Sequence, residues 1–151
     1  MAFRSYMEIA LDEARAAAAR GEVPVGAVIV APGGAVLAQA GNRTRELCDP
    51  TAHAEVLAIR AACARLGAER LTGHDLYVTL EPCPMCAAAI SAARIARLYY
   101  GAADPKSGGV AVGARVFAHP QCHHVPEVYD GISAAPSEAL LTAFFRARRD
   151  T

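Results

Sequence analysis

The sequence lacks the features expected of a membrane or exported protein. No apolar stretch approaches the roughly 20 consecutive residues that a membrane-spanning helix needs, and the N-terminus carries no apolar signal segment. The cysteines number five, and two of them fall in a metal-binding spacing, so a disulfide framework is not expected. These absences predict a cytoplasmic protein with no membrane partner.

The chain also lacks net charge. Its 15 Lys and Arg residues balance 15 Asp and Glu residues, so the formal net charge is zero at pH 7. A protein without excess charge exerts no overall attraction on nucleic acid or on a membrane surface. Any contact with RNA must therefore come from a local basic patch.

Length and composition indicate one domain over residues 1–151. The chain is 54% hydrophobic, and a chain of this size buries a sufficient core without disulfides. Strand-like and helix-like segments alternate along it. This alternation predicts an α/β domain with helices on both faces of one sheet.

Local signals predict the individual elements. A capping box at Ser5 opens a first helix that ends at Gly21. The apolar runs 23–30 and 35–40 flank a Pro-Gly-Gly turn and predict a hairpin. A second helix is expected from an N-cap at Thr51 to Gly67, with a buried stripe of Val56, Leu57, Ile59, Cys63 and Leu66.

The second half of the chain continues the alternation. Strands are expected at 76–80, 98–101 and 127–129. An alanine-rich helix is expected from Cys83 to about Ala96, and one helical turn at 114–118. A terminal helix is expected at 137–149, with an apolar side made of Leu140, Leu141, Phe144 and Phe145.

Two short motifs predict a zinc site. Cys83 and Cys86 are three positions apart at a helix start and can bind one metal ion, and His53, 30 positions before Cys83, can supply a third ligand. Pro82 and Pro84 favour a helix start at the cysteines. Three protein ligands leave one tetrahedral position open for water, which is the arrangement of a catalytic zinc ion. We therefore expect one Zn²⁺ per chain.

Glu55 indicates which reaction this site catalyses. It lies two residues after His53, close enough to accept a proton from water without binding the metal. We expect His53 at or just before the first helical turn and Glu55 inside it. The combination H-x-E with P-C-x-x-C is the signature of zinc-dependent nucleobase deaminases, in which the glutamate acts as general acid and base.

A closed, structural zinc site is the main alternative on these motifs. It would need a fourth protein ligand. The candidates show no paired zinc-ligand spacing with the other three residues; they are Cys48, Cys63, Cys122, His119, His123 and His124.

Most of the chain resembles the bacterial tRNA adenosine deaminases of the cytidine deaminase-like superfamily. The resemblance is carried by the segments 21–27, 49–55, 76–86, 94–95 and 144–146. It implies a three-layer α/β/α cytidine deaminase-like fold with a mixed five-stranded sheet, and a homodimer. It also implies conversion of the wobble adenosine of an arginine tRNA to inosine.

The resemblance assigns roles to individual residues. His53, Cys83 and Cys86 match the zinc ligands, and Glu55 matches the proton shuttle. Further matches lie near the flipped base, at Asn42 and Val25, and along the bound anticodon loop, at Asp104, Lys106, Phe145, Arg148 and Arg149. The loops 109–115 and 123–125 depart from the pattern of many relatives.

Other functions are compatible with parts of this pattern. A free nucleobase or nucleoside deaminase, acting on guanine or cytosine, would use the same zinc site. A tRNA-binding module without catalysis would use the same surface, but Glu55 argues against it because a structural zinc needs no unbound carboxylate beside it. Activity toward intact tRNA and toward free bases distinguishes these alternatives.

Overall fold

The structure, a computed structural model, describes residues 5–149. The predicted single domain over 1–151 stays a prediction, and residues 1–4 and 150–151 lie outside the described range. The elements in chain order are α1 (Tyr6–Ala19), β1 (Gly26–Val30), β2 (Val36–Gly41), α2 (Ala54–Leu66), β3 (Asp75–Leu80), α3 (Pro84–Ala92), β4 (Arg97–Ala102), a 3-10 turn (Val116–Ala118), β5 (Glu127–Tyr129) and α4 (Ala134–Arg149).

The five strands form one mixed sheet in the order β2-β1-β3-β4-β5. Strand β1 pairs antiparallel with both β2 and β3, whereas β3, β4 and β5 run parallel. The predicted hairpin is β1 and β2, and α3 provides the crossover between the parallel strands β3 and β4. The prediction of a mixed five-stranded sheet is confirmed.

Helices cover both faces of the sheet. On one face α1 and α4 pack against the strands, and Met7, Leu11 and Val28 form the centre of that core. On the other face α2 and α3 enclose a second core that includes Ile90 and Leu98. All residues of β1 are buried, because this strand lies between the two cores. The fold is therefore the predicted three-layer α/β/α arrangement.

Small residues let the helices lie close to the sheet. A Cβ added at Gly26 would overlap the carbonyl oxygen of Ala10 in α1. In α2 the buried residues are Ala54, Glu55, Ala58 and Ala62. The predicted buried stripe of larger side chains is therefore wrong; Leu66, for example, is 46% exposed. A helix that packs its alanine face against a sheet leaves its branched residues along the flanks.

Several element ends differ from the predictions. Helix α2 is capped by His53 and not by Thr51. Helix α3 ends at Ala92 and not near Ala96, because Arg94 adopts a positive φ of 63° and turns the chain into β4. Helix α4 begins earlier than predicted, at Ala134, and Phe145 is 47% exposed on what was expected to be its apolar side.

The described residues show neither a disulfide nor a membrane-spanning segment. All five cysteines lie in the described range and are free thiols. No helix within residues 5–149 is both long enough and apolar enough to cross a bilayer.

Candidate active site

The three predicted metal ligands meet where two helices begin. His53 is the N-cap residue of α2 and Cys83 is the N-cap residue of α3, both with extended backbone conformations. Pro84 occupies the first turn of α3, as proline prefers, and Cys86 follows it in the same turn. The helix starts that follow β2 and β3 therefore bring the three side chains together.

The geometry of this cluster fits a zinc ion. The Nδ1 atom of His53 lies 3.6 Å from Sγ of Cys83 and 3.4 Å from Sγ of Cys86, and all three ligand atoms are within 4.8 Å of one another. Zinc bonds of about 2.3 Å to sulfur and about 2.0 Å to nitrogen place tetrahedral donors roughly 3.5 Å apart. Two thiols and one imidazole are a donor set that zinc prefers.

The cluster offers three protein ligands to a metal ion. Among the described residues it is the one group of three or more His, Cys, Asp or Glu side chains that could hold a metal ion. None of the alternative fourth ligands considered from the sequence belongs to it. His124, for example, donates its Nε2 hydrogen to the carbonyl oxygen of Ile95 at 2.7 Å. The site is therefore open in the sense that distinguishes catalytic from structural zinc.

Asn42 caps the helix that His53 begins. The His53 side chain makes no capping hydrogen bond, and the Oδ1 atom of Asn42 instead accepts the backbone N–H of Ala54 at 2.8 Å. The backbone N–H of Asn42 donates to the carbonyl of Val25 at 3.2 Å. Asn42 thus satisfies the helix terminus and leaves the imidazole available to a metal.

Glu55 is a buried carboxyl beside the cluster. Its side chain lies in the first turn of α2 and is 4% exposed. Burial raises the pKa of Glu55, an effect that the positive charge of His53 opposes. A raised pKa makes this carboxyl a better proton acceptor, as a residue that takes a proton from water and passes it on requires.

The pKa values of the two thiols are shifted in opposite directions. A hydrogen bond from Cys86 lowers the pKa of Cys83 to about 4, against the opposing effect of burial. The same hydrogen bond, together with burial, raises the pKa of Cys86. The hydrogen bond to Cys83 also raises the pKa of His53. A bound zinc ion would favour deprotonation of both thiols.

A cavity of about 220 Å³ opens at the cluster. Asn42, Val25 and Glu55 line it on the side of α2, and Asp104 and Ser107 line it on the side of the loop after β4. An adjoining cavity of about 480 Å³ shares Asp104 and Ser107 and is also lined by Lys106, Leu141 and Phe145. The structure therefore brings Val25, Asn42 and Asp104 into one cavity with the metal ligands His53 and Cys83. Lys106 and Phe145, also expected to bind substrate, line the adjoining cavity.

Arg148 and Arg149 lie apart from these cavities. Within residues 5–149, neither arginine is among the side chains that line them. The Nη1 atom of Arg148 donates to the carbonyl of Gly21 at 3.3 Å, and its guanidinium lies 5.1 Å from the ring centroid of Phe144. Both arginines belong to the last turn of α4.

Sequence analysis missed two buried carboxylates, Glu22 and Glu81. Each is 2% exposed and accepts hydrogen bonds from the backbone of a loop beside the catalytic cavity. The sequence signal for Glu81 is its position directly after the apolar strand at 76–80. A charged side chain that is buried at such a position needs hydrogen-bond partners.

Comparisons with known proteins agree with the geometry. The model of the cytidine and deoxycytidylate deaminase zinc-binding region matches residues 2–102. The tRNA-specific adenosine deaminase of Agrobacterium fabrum is 62% identical over 144 residues, which cover 95% of this chain and 94% of that protein.

Two solved structures extend the comparison. A chain from studies of A-to-I editing by tRNA:A34 deaminases at the wobble position of transfer RNA is 62% identical, with a TM-score of 0.88 over 90% of this chain and 98% of that one. A guanine deaminase from Bacillus subtilis is 32% identical, with a TM-score of 0.66 over 100% of this chain and 96% of that one. The chain therefore belongs to the tRNA-specific adenosine deaminase family, within the proteins that carry the cytidine and deoxycytidylate deaminase zinc-binding region.

Proposed function

We propose that the protein catalyses the zinc-dependent hydrolytic deamination of adenosine to inosine at the wobble position of an arginine tRNA. The observation that carries this proposal is the buried carboxyl of Glu55, which shares a cavity of about 220 Å³ with a three-ligand zinc cluster. The relative that is 62% identical and named a tRNA-specific adenosine deaminase supports the substrate.

The chemistry divides between the metal and Glu55. His53, Cys83 and Cys86 would hold a zinc ion, which lowers the pKa of water enough to supply a nucleophile near neutral pH. Glu55 takes a proton from the water that adds to C6 of adenine and delivers it to the adjacent ring nitrogen. Glu55 then transfers the proton of the new C6 hydroxyl group to the amino nitrogen, and the bond between C6 and that nitrogen breaks. Adenosine and water thus give inosine and ammonia.

Asn42 and Val25 would hold the reacting base beside Glu55. The Oδ1 atom of Asn42 is engaged by the N–H of Ala54, so its amide NH₂ group is the part that can donate to the base. Because a base stacked in a helix cannot enter such a cavity, the substrate must present an extruded or unstacked base, as an anticodon loop does.

The adjoining cavity favours a polynucleotide over a free base. Phe145 is 47% exposed at this cavity and offers a ring on which a flanking base can stack. Lys106 lines the same cavity and is suited to contact a phosphate. A free-base deaminase would need neither feature.

We also propose that the protein acts as a cytoplasmic homodimer. Helix α3 carries no charged side chain, and Ala88 and Ala92 are exposed on it. Cavities of about 520 and 430 Å³ flank this face. Arg60, Glu69 and Arg70 give its margin both signs of charge, which suits pairing with a second copy.

The exposed, uncharged face of α3 is the proposed dimer interface, so a charge placed on it should disrupt the dimer. Ala92→Arg should convert the dimer to a monomer by light scattering, whereas Ala16→Arg on the exposed part of α1 should not. A monomeric wild-type protein would contradict this proposal.

A direct assay compares substrates for the purified protein. Intact tRNA, free adenosine, guanine and cytosine are incubated side by side, and deaminated products are measured. We expect inosine at the wobble position of tRNA and little turnover of the free compounds. Turnover of guanine or cytosine without inosine in tRNA would favour a free-base deaminase, the activity named for the Bacillus subtilis structure.

A further inference from the structure

The loop that follows β4 forms one wall of both cavities at the site. Asp104 and Ser107 line the catalytic cavity, and Lys106 lines the adjoining one. Loops of this kind are mobile unless their backbone groups are held by the rest of the fold. The contacts that hold this loop in place therefore determine the shape of the cavities that bind the substrate.

One buried carboxylate receives three backbone N–H groups of this loop. The Oε1 atom of Glu81 accepts the N–H of Asp104 at 3.1 Å. Its Oε2 atom accepts the N–H groups of Val110 and Ala111 at 3.2 and 2.9 Å. These three hydrogen bonds hold both ends of the segment 104–111 at a single side chain.

Two glycines allow the loop to reach that point. A Cβ added at Gly108 would lie 2.5 Å from Oε2 of Glu81. A Cβ added at Gly109 would lie 2.5 Å from the backbone nitrogen of Pro84, and the N–H of Gly109 donates to the carbonyl of Pro82 at 2.8 Å. The loop therefore rests directly on the segment that carries Cys83.

We propose that Glu81 is a positioning residue that sets the substrate-facing wall against the zinc-binding helix start. The inference rests on the proposed function for the identity of the substrate. Glu81 reaches the lining of the catalytic cavity and acts on the substrate through Asp104 and Ser107, which line the same cavity. The residues that follow Glu81 in the chain lead directly to the metal ligand Cys83. A carboxylate is required because it only accepts hydrogen bonds, whereas a glutamine amide would place donors against the loop N–H groups.

Glu22 provides a matched control on the opposite wall. Its carboxylate is equally buried and accepts the N–H groups of Arg45 and Glu46 at 3.1 and 2.9 Å. Thr44 beside them lines the catalytic cavity. Glu22→Gln therefore loosens a different loop by the same chemistry.

The first readout is limited proteolysis of full-length, zinc-loaded protein. Trypsin can cut the loop region after Lys106 or Arg115, both of which are exposed. Glu81→Gln should accelerate these cuts on the order of tenfold. Hydrogen bonds to the carboxyl group are lost, and the NH₂ group of the glutamine faces the backbone N–H groups of the loop. Glu22→Gln should accelerate cutting near Arg45 and leave the cuts at 106 and 115 unchanged. Zinc content should stay at the wild-type level in both variants.

The second readout is steady-state kinetics on tRNA. Glu81→Gln should raise KM about tenfold with a smaller change in kcat, as expected when binding of ground and transition states is weakened equally. Gly108→Ala should reproduce this change, since it displaces the same carboxylate, and it serves as the test if Glu81→Gln does not fold.

Unchanged proteolysis and KM in the folded variant would overturn the proposal. So would loss of zinc, or equal acceleration of cutting in both loops, because these indicate general destabilisation. If the wild-type protein does not deaminate tRNA, the proposed function fails, while proteolysis and zinc content still decide whether Glu81 fixes the wall.

Discussion

At the scale of single residues, the site separates metal binding from helix capping. An N-cap side chain normally satisfies the first free N–H groups of its helix, but His53 and Cys83 occupy N-cap positions without a side-chain capping bond. At α2 the cap comes from Asn42, which is distant in sequence. The two ligands are therefore free to face a metal ion from the ends of rigid elements.

Replacing a cysteine ligand should remove the metal. Cys86→Ala should reduce zinc from about one ion per chain to a small fraction of that, because affinity depends on all three ligands. Elemental analysis of protein purified without added metal measures this. Cys63→Ala is the matched control, since Cys63 lies in α2 outside the cluster. Full zinc content in Cys86→Ala would contradict the ligand assignment.

At the scale of elements, the short strand β5 depends on a row of tyrosines. The rings of Tyr77 and Tyr99 stack with centroids 4.3 Å apart, and those of Tyr99 and Tyr129 with centroids 4.9 Å apart. All three residues of β5 are exposed. Ring stacking and the ion pair of Arg97 and Glu127 at 3.1 Å therefore add to the parallel pairing with β4 in holding this edge strand.

Truncating the central ring of this row should destabilise the fold. Tyr99→Ala should lower the free energy of unfolding by about 2 kcal/mol, from lost burial and two lost stacking contacts. Tyr99→Phe keeps the ring and should change it by less than about 1 kcal/mol. Denaturant unfolding measures both variants. Equal stability of Tyr99→Ala and Tyr99→Phe would show that the stack contributes nothing.

The elements that carry the site could be predicted from local sequence. Proline beside Cys83 and the polar start before the helix at 54–66 indicate helix N-termini, and these signals act over a few residues. The N-cap at His53 was assigned to Thr51 because Thr is the better cap in isolation. Asn42, which reverses this preference, lies 12 residues before Ala54, beyond the range of a local capping pattern.

Long-range contacts explain the remaining differences. The role of Glu81 depends on N–H groups 23 to 30 residues further along the chain, which no local pattern reports. The contacts of Arg148 with Gly21 and Phe144 depend on how α4 packs, and no local pattern in the sequence indicates them. The alanine face of α2 was missed because alanine gives a weak periodic signal.

At the scale of the whole molecule, the net charge is zero, so RNA binding must depend on local groups of basic residues. Lys106 at the adjoining cavity and the basic last turn of α4, with Arg146, Arg148 and Arg149, are the available phosphate contacts. Binding of tRNA should weaken with salt, because each neutralised phosphate releases counterions.

Removing one of these cations should make the salt dependence shallower. Arg149→Ala or Arg148→Ala should reduce the slope of log K against log salt by about 0.7 and lower activity on tRNA. Any activity on free adenosine should barely change. Arg15→Ala is the control, because Arg15 pairs with Asp12 on α1. Identical slopes for all these proteins would place the RNA contacts elsewhere.

The proposed mechanism depends most on Glu55 as the proton carrier beside an open zinc site. The decisive measurement is inosine formation in tRNA by Glu55→Gln, made in parallel with its zinc content and with Glu8→Gln, an exposed α1 position, as control. Glutamine has nearly the same shape but cannot accept the proton, so the rate should fall by at least about 100-fold while zinc stays near one ion per chain. A rate close to that of the wild-type protein, at unchanged zinc content, would contradict the mechanism.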